Sequence, residues 1–455
     1  MRDIRVALWG FGAMGSGIAK MIASKEGIII SGVCVRRDHL VGQEVYSYLG
    51  IDRGDRDPVI ITNKIEDIVR RDLCDIVVLA TDSFVEAQFD KIMFCLDRGV
   101  NVITMAEEMA WPWAQNEELA DKIDALAKMR GVTVLGTGIN PGFVLDYLIL
   151  ALSGTCEHVE SIEAARVNDL APFGKSVMVE QGVGISVEEF DRRMAEGSLA
   201  GHVGFPESMS MIAEGMGVEL VEIEETRDPI ITNVDRKSAH GEAKKGHLAG
   251  VRQQSYGRLA DGKVFIHLDH PQQICPEDEG IDTGDYVTIH ADGYDMNLSI
   301  VPETPGGIGT IAMVVNMIPH VIGAEPGLRS MLDLPVPRCI LGNYAEQIHR
   351  EGDRRYKKGE LVSVEKVILP VGERAPQVPD DTKRTPLRAF TKGFLQEESA
   401  KRGDTVTVRT MSDRLVEGTL SGRSISPTHT FGGHVPELTT VHRQVFELMF
   451  GGESK

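Results

Sequence analysis

"IRVALWGFGAMGSGIAKMI", residues 4–22, is the stretch on which the reading of the fold turns. Ile4, Val6 and Leu8 alternate as in a buried strand, and Met14 to Ile22 carries apolar residues at helical spacing. Between them Gly10, Gly12 and Gly15 spell GxGxxG. The first glycine permits a tight turn, the second lets a ligand approach the backbone, and the third lets helix and strand pack closely. A pyrophosphate set there meets the unpaired N–H groups of a helix N-terminus. Phe11, Ala13 and Met14 complete that turn, so residues 10–15 are expected to hold a dinucleotide. A Gly-rich turn without a ligand is the competing reading.

Working outward, "IIISGVCV" (28–35) forms a second strand and is followed by "RRDH". An acidic residue near this point would hold the ribose hydroxyls of NAD. Here Arg36 and Arg37 come first and suit a 2′-phosphate, which tilts the cofactor toward NADP; the alternative leaves the arginines solvated and Asp38 on the ribose. Three further strand–loop units follow. "DIVVLATDSF" (75–84) ends in Ala80, Thr81, Asp82 and Ser83; "NVITMAEEMAWP" (101–112) is closed by Glu107 and Glu108; "VTVLGTGINPGFVLD" (132–146) leads into Asn140. In a doubly wound sheet these carboxyl ends line one cleft.

The whole chain has 455 residues, enough for two or three domains. It contains no run of about 18 apolar residues, and its charged start is unlike a secretory leader, so a cytoplasmic protein with no membrane span is expected. Its six cysteines form no CxxC pair and read as small buried apolar residues, with no metal site implied. Charge divides the chain in two. Residues 346–455 hold 18 Lys and Arg against 16 Asp and Glu, leaving 30 against 52 in residues 1–345. The acidic body repels nucleic acid and suits small, cationic substrates.

From residue 140 to 309 the alternation gives way to loop-like motifs, "RVNDLAPFG" (166–174), "QGVGIS" (181–186), "GHVGFPES" (201–208) and "HPQQI" (270–274), between strand-like runs such as "KVFIHLDH" and "DYVTIHADG". The expected architecture is an α/β chain. It has a Rossmann NAD(P)-binding domain at 1–139 with a return segment at 310–345, and an α+β substrate and dimerisation domain at 140–309. A linker at 346–356 then leads to a small β-rich module at 357–455.

Each candidate residue carries two readings. Glu107 and Glu108 either take or balance a substrate proton, or form a helix-start acid pair favoured by the macrodipole. Asp169 is a second candidate base or a turn-forming Asp. Arg166 clamps a carboxylate bidentately or makes a strand-edge salt bridge. His202 and His270 shuttle a proton or are structural. Asn140 and Asn168 offer amides to a substrate, and Asn316 in "VVNMIPHV" either reaches the nicotinamide or faces the core.

Taken as a set, "GFGAMGSGIAK", "AEEMA", "GTGINPGFVLD", "RVNDLAPFG", "GHVGF", "HPQQI" and "VNMIPHV" resemble the 2,4-diaminopentanoate dehydrogenases over roughly residues 1–340. That resemblance implies a dihydrodipicolinate reductase-like two-domain plan, NAD(P)-dependent oxidative deamination to 2-amino-4-oxopentanoate and ammonia, and a homodimer. The rivals are a homoserine dehydrogenase-like enzyme of another small amino acid and a nucleotide-sensing assembly subunit without turnover.

Behind the body, Pro376, Pro379 and Pro386 in "VGERAPQVPDDTKRTPL" forbid a long helix. "ELVSVEKVIL" alternates like a strand, "GDTVTVRTMSDRLVEGTLSG" reads as a hairpin around "MSDR", and "TTVHRQVFELMF" reads as a terminal amphipathic helix. His429 and His434 lack a third ligand. The strings "VILPVGERAPQVPDDTKRTPL", "GDTVTVRT" and "GRSISPTHTFGGHVPEL" are similar to the alpha subunit of 2-amino-4-oxopentanoate thiolase. The resemblance implies that pyridoxal phosphate (PLP) sits on a separate beta subunit, which residues 346–455 would dock.

Overall fold

The computed structural model describes residues 2–199, 201–348, 356–383 and 385–421. Two compact units divide the chain, Met1–Ile348 and His349–Lys455. The Gly- and Pro-rich loop expected from "PTHTFGGHVPEL" (427–438) and the expected terminal helix lie outside the described residues, as do His429, His434 and most of the expected linker.

In the first unit, β1 (Ile4–Trp9), β2 (Ile28–Cys34), β3 (Ile61–Thr62), β4 (Ile76–Leu79), β5 (Asn101–Thr104) and β6 (Thr133–Gly136) form an all-parallel sheet, with Gly327–Arg329 added beside β6. The order, from that added strand, is β6-β5-β4-β1-β2-β3. Every residue of β4 is buried, because helices cover both faces and a parallel strand between them must be apolar throughout. On one face lie α1 (Ala13–Ala23) and the helix Gly306–Gly323, packed on Val6 and Leu8; on the other, the helices Val85–Asp97 and Glu117–Arg130 cover Ala7 and Val77. The helix Gly306–Gly323 is long and apolar enough to cross a membrane by composition alone. Its Met313–Val321 run is buried in this core instead, and Ile311 fills the space beside Gly17, where a Cβ would come within 2.3 Å of it.

The second layer of this unit is a six-stranded mixed sheet, in the order Tyr294–Ile300, Gly284–Ala291, Val159–Asp169, Val264–Gln273, Leu248–Arg258, Glu222–Ile231. Its covered face packs on the helices Tyr147–Ser153 and Phe205–Met216 through Ile162, Leu268, Val287 and Phe205. Two of the expected loops turn out to be strand. Arg166–Asp169 end the strand Val159–Asp169, and His270–Gln273 end the strand Val264–Gln273. The two run parallel and pair up to Asp269 with Ala165, then again from Gln272 with Asn168. The ladder between them skips His270 and Pro271, where the proline has no N–H to give. A proline at this position suggested a loop; a local opening in the ladder accommodates it within a strand.

The second unit is a closed barrel of Leu361–Leu369, Leu387–Leu395, Thr405–Arg409 and Leu415–Ser421, with a core of Val362, Val364, Leu395, Val406, Val408 and Leu420. The hairpin around "MSDR" is present, turned by Asp413 in the left-handed region. Between the prolines the described residues include one helical turn, Asp380–Lys383. The reading of all cysteines as buried is corrected at Cys339, which is exposed, and at Cys156, which is half-buried.

Candidate functional site

At the end of β1, Gly10 has φ +107°, and a Cβ there would sit 2.4 Å from the carbonyl oxygen of Ala80. A Cβ on Gly15 would sit 2.2 Å from the carbonyl oxygen of Gly10. These two glycines are required by the packing of strand, turn and helix. Gly12 differs: a Cβ there would meet nothing within 4 Å. The second glycine therefore borders open space at the N-terminus of α1, a fit for the pyrophosphate of a dinucleotide rather than a demand of the fold. Phe11 is buried behind the turn, and its carbonyl accepts a 2.9 Å hydrogen bond from Arg37. Arg36 and Asp38 are exposed beyond β2.

Next along the cleft, Asp82 pairs with Lys91, which also donates to Thr81 at 3.0 Å. The Ser83 carbonyl accepts from the Glu108 N–H at 3.2 Å. Glu108 itself accepts from the Val85 N–H at 2.7 Å and from Asn116 at 3.3 Å. Its carboxylate caps the neighbouring helix Val85–Asp97, so the expectation of Glu108 as a base is corrected to a structural role. Glu107 is the uncommitted member of the pair. Burial pushes its carboxyl above the usual range, opposed by a hydrogen bond from Ser83.

Asn140, His202 and His270, distant in sequence, come together. The Asn140 amide nitrogen lies 3.2 Å from Nε2 of His202 and 3.4 Å from Nδ1 of His270, and the two imidazoles meet edge to face at 4.7 Å. Phe205 closes the cluster with its ring 5.1 Å from that of His202. Burial pushes the His202 imidazole down to about 3, helped by the positive charge of Arg166 and Arg227; His270 is depressed by burial, His202 and Arg166. Both rings are neutral at physiological pH and serve as hydrogen-bonding groups. Three buried polar atoms here have no protein partner: Asn140 Oδ1, Asn168 Oδ1 and His270 Nε2. Buried polar groups are normally paired, so three open ones in one region mark a place for a polar ligand.

Three further expectations change. Arg166 is not a free clamp: it is buried against Asp285 and donates to the Thr304 carbonyl at 2.6 Å. Its charge still acts on the histidines beside it. Asp169 accepts from the N–H groups of Ala171 at 2.8 Å and Cys275 at 2.9 Å, so it holds a turn and is not placed as a base. Asn316 faces the core, its Oδ1 accepting from the Tyr344 hydroxyl at 2.8 Å and from the Ile340 N–H at 3.3 Å; it ties down the return segment, as the core-facing reading expects.

The structure adds residues the sequence left unremarked. Gln253 grips the main chain of His202 from both sides, accepting from its N–H at 2.8 Å and donating to its carbonyl at 3.0 Å. Gln181 donates to the Gly201 carbonyl at 3.1 Å, holding the same loop from the other end. Glu207, in the first turn of the helix Phe205–Met216, is wholly buried. One of its oxygens accepts from Gln115 at 2.8 Å and the other has no partner. Burial pushes its carboxyl up to about 7, with Glu108 and Glu225 adding to the shift. The "GHVGFPES" string drew attention to this loop, but nothing in it distinguishes Glu207 from an ordinary helix-start acid.

A parallel sheet with a Gly-rich turn at its first strand, joined to a buried polar cluster on a second sheet, is the plan of a nicotinamide-dependent oxidoreductase. Residues 143–350 match the family model described as "2,4-diaminopentanoate dehydrogenase C-terminal domain", and residues 355–449 the one described as "AKP thiolase subunit OrtA". The chain is 51% identical over 352 residues to a 2,4-diaminopentanoate dehydrogenase of Acetoanaerobium sticklandii, covering 77% of this chain and 99% of that protein. It is 48% identical over 97 residues to the 2-amino-4-ketopentanoate thiolase alpha subunit of the same organism, covering 21% of this chain and 95% of that subunit. An amine dehydrogenase from Mycobacterium smegmatis superposes with a TM-score of 0.66 at 27% identity, over 75% of this chain and 98% of that one. The chain belongs to the 2,4-diaminopentanoate dehydrogenase family, and carries a thiolase alpha-subunit region behind it.

Proposed function

We propose that the chain oxidatively deaminates 2,4-diaminopentanoate to 2-amino-4-oxopentanoate and ammonia, and that its C-terminal module recruits a PLP-dependent thiolase beta subunit. The reading rests above all on the 51% identity across the full length of a protein with that activity in its name. The site chemistry fits it. The C4 ammonium must shed a proton before its carbon can lose a hydride, because only a free lone pair can form the C=N bond. With an ordinary pKa of about 10 the amine is almost wholly protonated at neutral pH, so a nearby base is needed. Glu107 suits that role, because burial raises its proton affinity and it stands beside the cofactor cleft while Glu108 is committed to a helix cap. The oxidised nicotinamide, when bound, accepts the hydride. Water then adds to the resulting iminium of the substrate and ammonia departs. His270 Nε2, a donor when Nδ1 accepts from the Asn140 amide, suits the substrate's carboxylate, the open Oδ1 atoms of Asn140 and Asn168 suit N–H groups of the substrate, and Arg166 lends positive potential without leaving Asp285.

NADP is the preferred cofactor in this reading, since exposed Arg36 follows β2 where an acid would favour NAD. The open face of the mixed sheet, with its Arg252–Asp269 pair and stacked Tyr256 and His267, suits a homodimer. Fusion to the C-terminal module would raise the local concentration of the next enzyme to about the millimolar range for a flexible tether. The decisive assay combines full-length protein, 2,4-diaminopentanoate and NAD⁺ or NADP⁺, and follows absorbance of the reduced nicotinamide. No substrate-dependent reduction with either cofactor refutes the dehydrogenase reading. Failure of the full chain to co-purify with a PLP-containing partner refutes the docking.

A further inference from the structure

A diamino acid carries two ammonium groups, and only one of them reacts. The other needs a negative partner in a site closed to water, since an unpaired buried cation costs far more than a hydrogen bond returns. The acids around the site can be taken in turn. Asp146 is satisfied by the N–H groups of Gly142 and Tyr147 and by the Ser208 hydroxyl. Asp285 is neutralised by Arg166 and accepts from the Thr304 N–H. Asp169 and Glu108 are each held by two donors. Glu225 accepts from Gln253 and faces Arg227 at 4.0 Å. Among the described residues Glu107, Glu207 and Glu303 remain with no cation and one printed donor each, from Ser83, Gln115 and the Asp169 N–H, and of the three Glu207 is the one wholly buried.

Glu207 has the same character as the open atoms of the polar pocket: fully buried, with one oxygen lacking any partner. Its helix packs on the turns Glu107–Ala110 and Pro112–Ala114, and its other oxygen is bound by Gln115 from the far end of those turns. Two residues back along the helix, Phe205 meets the His202 ring edge to face at 5.1 Å. The helix that carries Glu207 thus bridges the acid pair at the cofactor cleft and the histidine pair, and the carboxyl feels the charge of Glu108 on one side and of Glu225, which bonds Gln253, on the other.

We propose that Glu207 binds the non-reacting C2 ammonium of the substrate through its open oxygen, and so selects diamino over monoamino acids. This rests on the amine dehydrogenase reading above. Gln115 holds the carboxylate in place while the second oxygen stays free for the ligand. Without a ligand the charged form has no counter-charge, and Glu108 and Glu225 add repulsion. An arriving ammonium reverses that balance and drives the proton off.

The experiment compares 2,4-diaminopentanoate with 4-aminopentanoate, the same skeleton without the C2 nitrogen, using full-length protein. Glu207→Gln keeps the shape and the Gln115 bond but removes the charge. It is expected to raise KM for the diamino acid at least about tenfold, as loss of one partner of a buried charge pair does, with KM for the monoamino acid changed less than about twofold. Glu207→Asp should recover part of the preference. Equal losses on both acids, or an unchanged KM for the diamino acid, overturn the proposal. A second measurement needs no variant: calorimetry in buffers of different ionisation heat, on unmodified protein loaded with cofactor. At pH 7, near the value about which Glu207 titrates, the diamino acid should release up to about half a proton more than the monoamino acid. Equal proton counts overturn the proposal. If the unmodified chain oxidises neither acid, the amine dehydrogenase reading falls and this inference falls with it.

Discussion

Replacing Glu207 by Gln should make the protein more stable above neutral pH, and the size of the gain follows from where the carboxyl sits. Its native proton affinity is raised to about 7 from an ordinary 4.5, mainly by burial. Between those two values the folded chain holds a proton that the unfolded chain has released, so stability falls as pH rises from about 4.5 to 7 and then levels off. A difference of about 2.5 units at about 1.36 kcal/mol each sets a ceiling of about 3 kcal/mol. The Gln variant carries no such charge and escapes the loss. At pH 5 variant and unmodified protein should agree within about 1 kcal/mol, and at pH 8 the variant should be more stable by about 3 kcal/mol. Other ionising groups act on both proteins alike and cancel in the comparison. Urea unfolding read by tryptophan emission suits the question, because Trp9, Trp111 and Trp113 are the only tryptophans and all lie in the first unit. Trp111 and Trp113 sit 5.2 Å apart just ahead of Gln115, the partner of Glu207. A difference that stays constant between pH 5 and pH 8, or favours the unmodified protein at pH 8, refutes the placement of an uncompensated acid at this position.

The glycines of the nucleotide turn should separate folding from binding. Gly10→Ala, with its Cβ driven into the Ala80 carbonyl, should lower the unfolding midpoint sharply, whereas Gly12→Ala should fold normally and lose cofactor affinity at least about tenfold by fluorescence titration. Arg36→Ala should weaken NADP more than NAD in the same titration; equal weakening of both would contradict a contact with the 2′-phosphate. Asn316→Leu should leave cofactor affinity unchanged while costing about 1–3 kcal/mol of stability in urea unfolding, because Tyr344 and Ile340 lose a buried acceptor. His202→Ala should raise KM for the diamino acid with cofactor affinity unaltered, as measured by steady-state kinetics against each ligand.

The nucleotide half of the fold was legible because its signals are local. A strand, three glycines and a helix lie within nineteen residues, and the carboxyl ends of the following strands are read in order. Three of the four barrel strands were legible for the same reason, since alternation in "LVSVEKVIL" and "TVTVR" survives without knowing the partner strand, whereas Leu387–Leu395, behind the prolines, was not read as one. What escaped depends on distant partners. Asp169 and Glu108 look like free acids until the N–H groups of Cys275 and Val85 are brought to them. Asn316 sits in an apolar helix whose orientation is fixed only when Tyr344 packs back on it. "HPQQI" carries a proline that denies a regular strand, and only the opening in the adjoining ladder explains how a strand keeps it. Glu207 was hidden most completely, because an acid in the first turn of a helix is ordinary and its burial is a property of what packs around it.

The double grip of Gln253 on His202 has a consequence for altering this enzyme. Both hydrogen bonds go to the main chain of residue 202, and neither uses its imidazole. The path of the loop is therefore set independently of the side chain it presents. Position 202 behaves as a fixed socket, into which apolar, amide or acidic side chains can be placed in turn to reshape which end groups the pocket accepts, with the surrounding backbone held where it is.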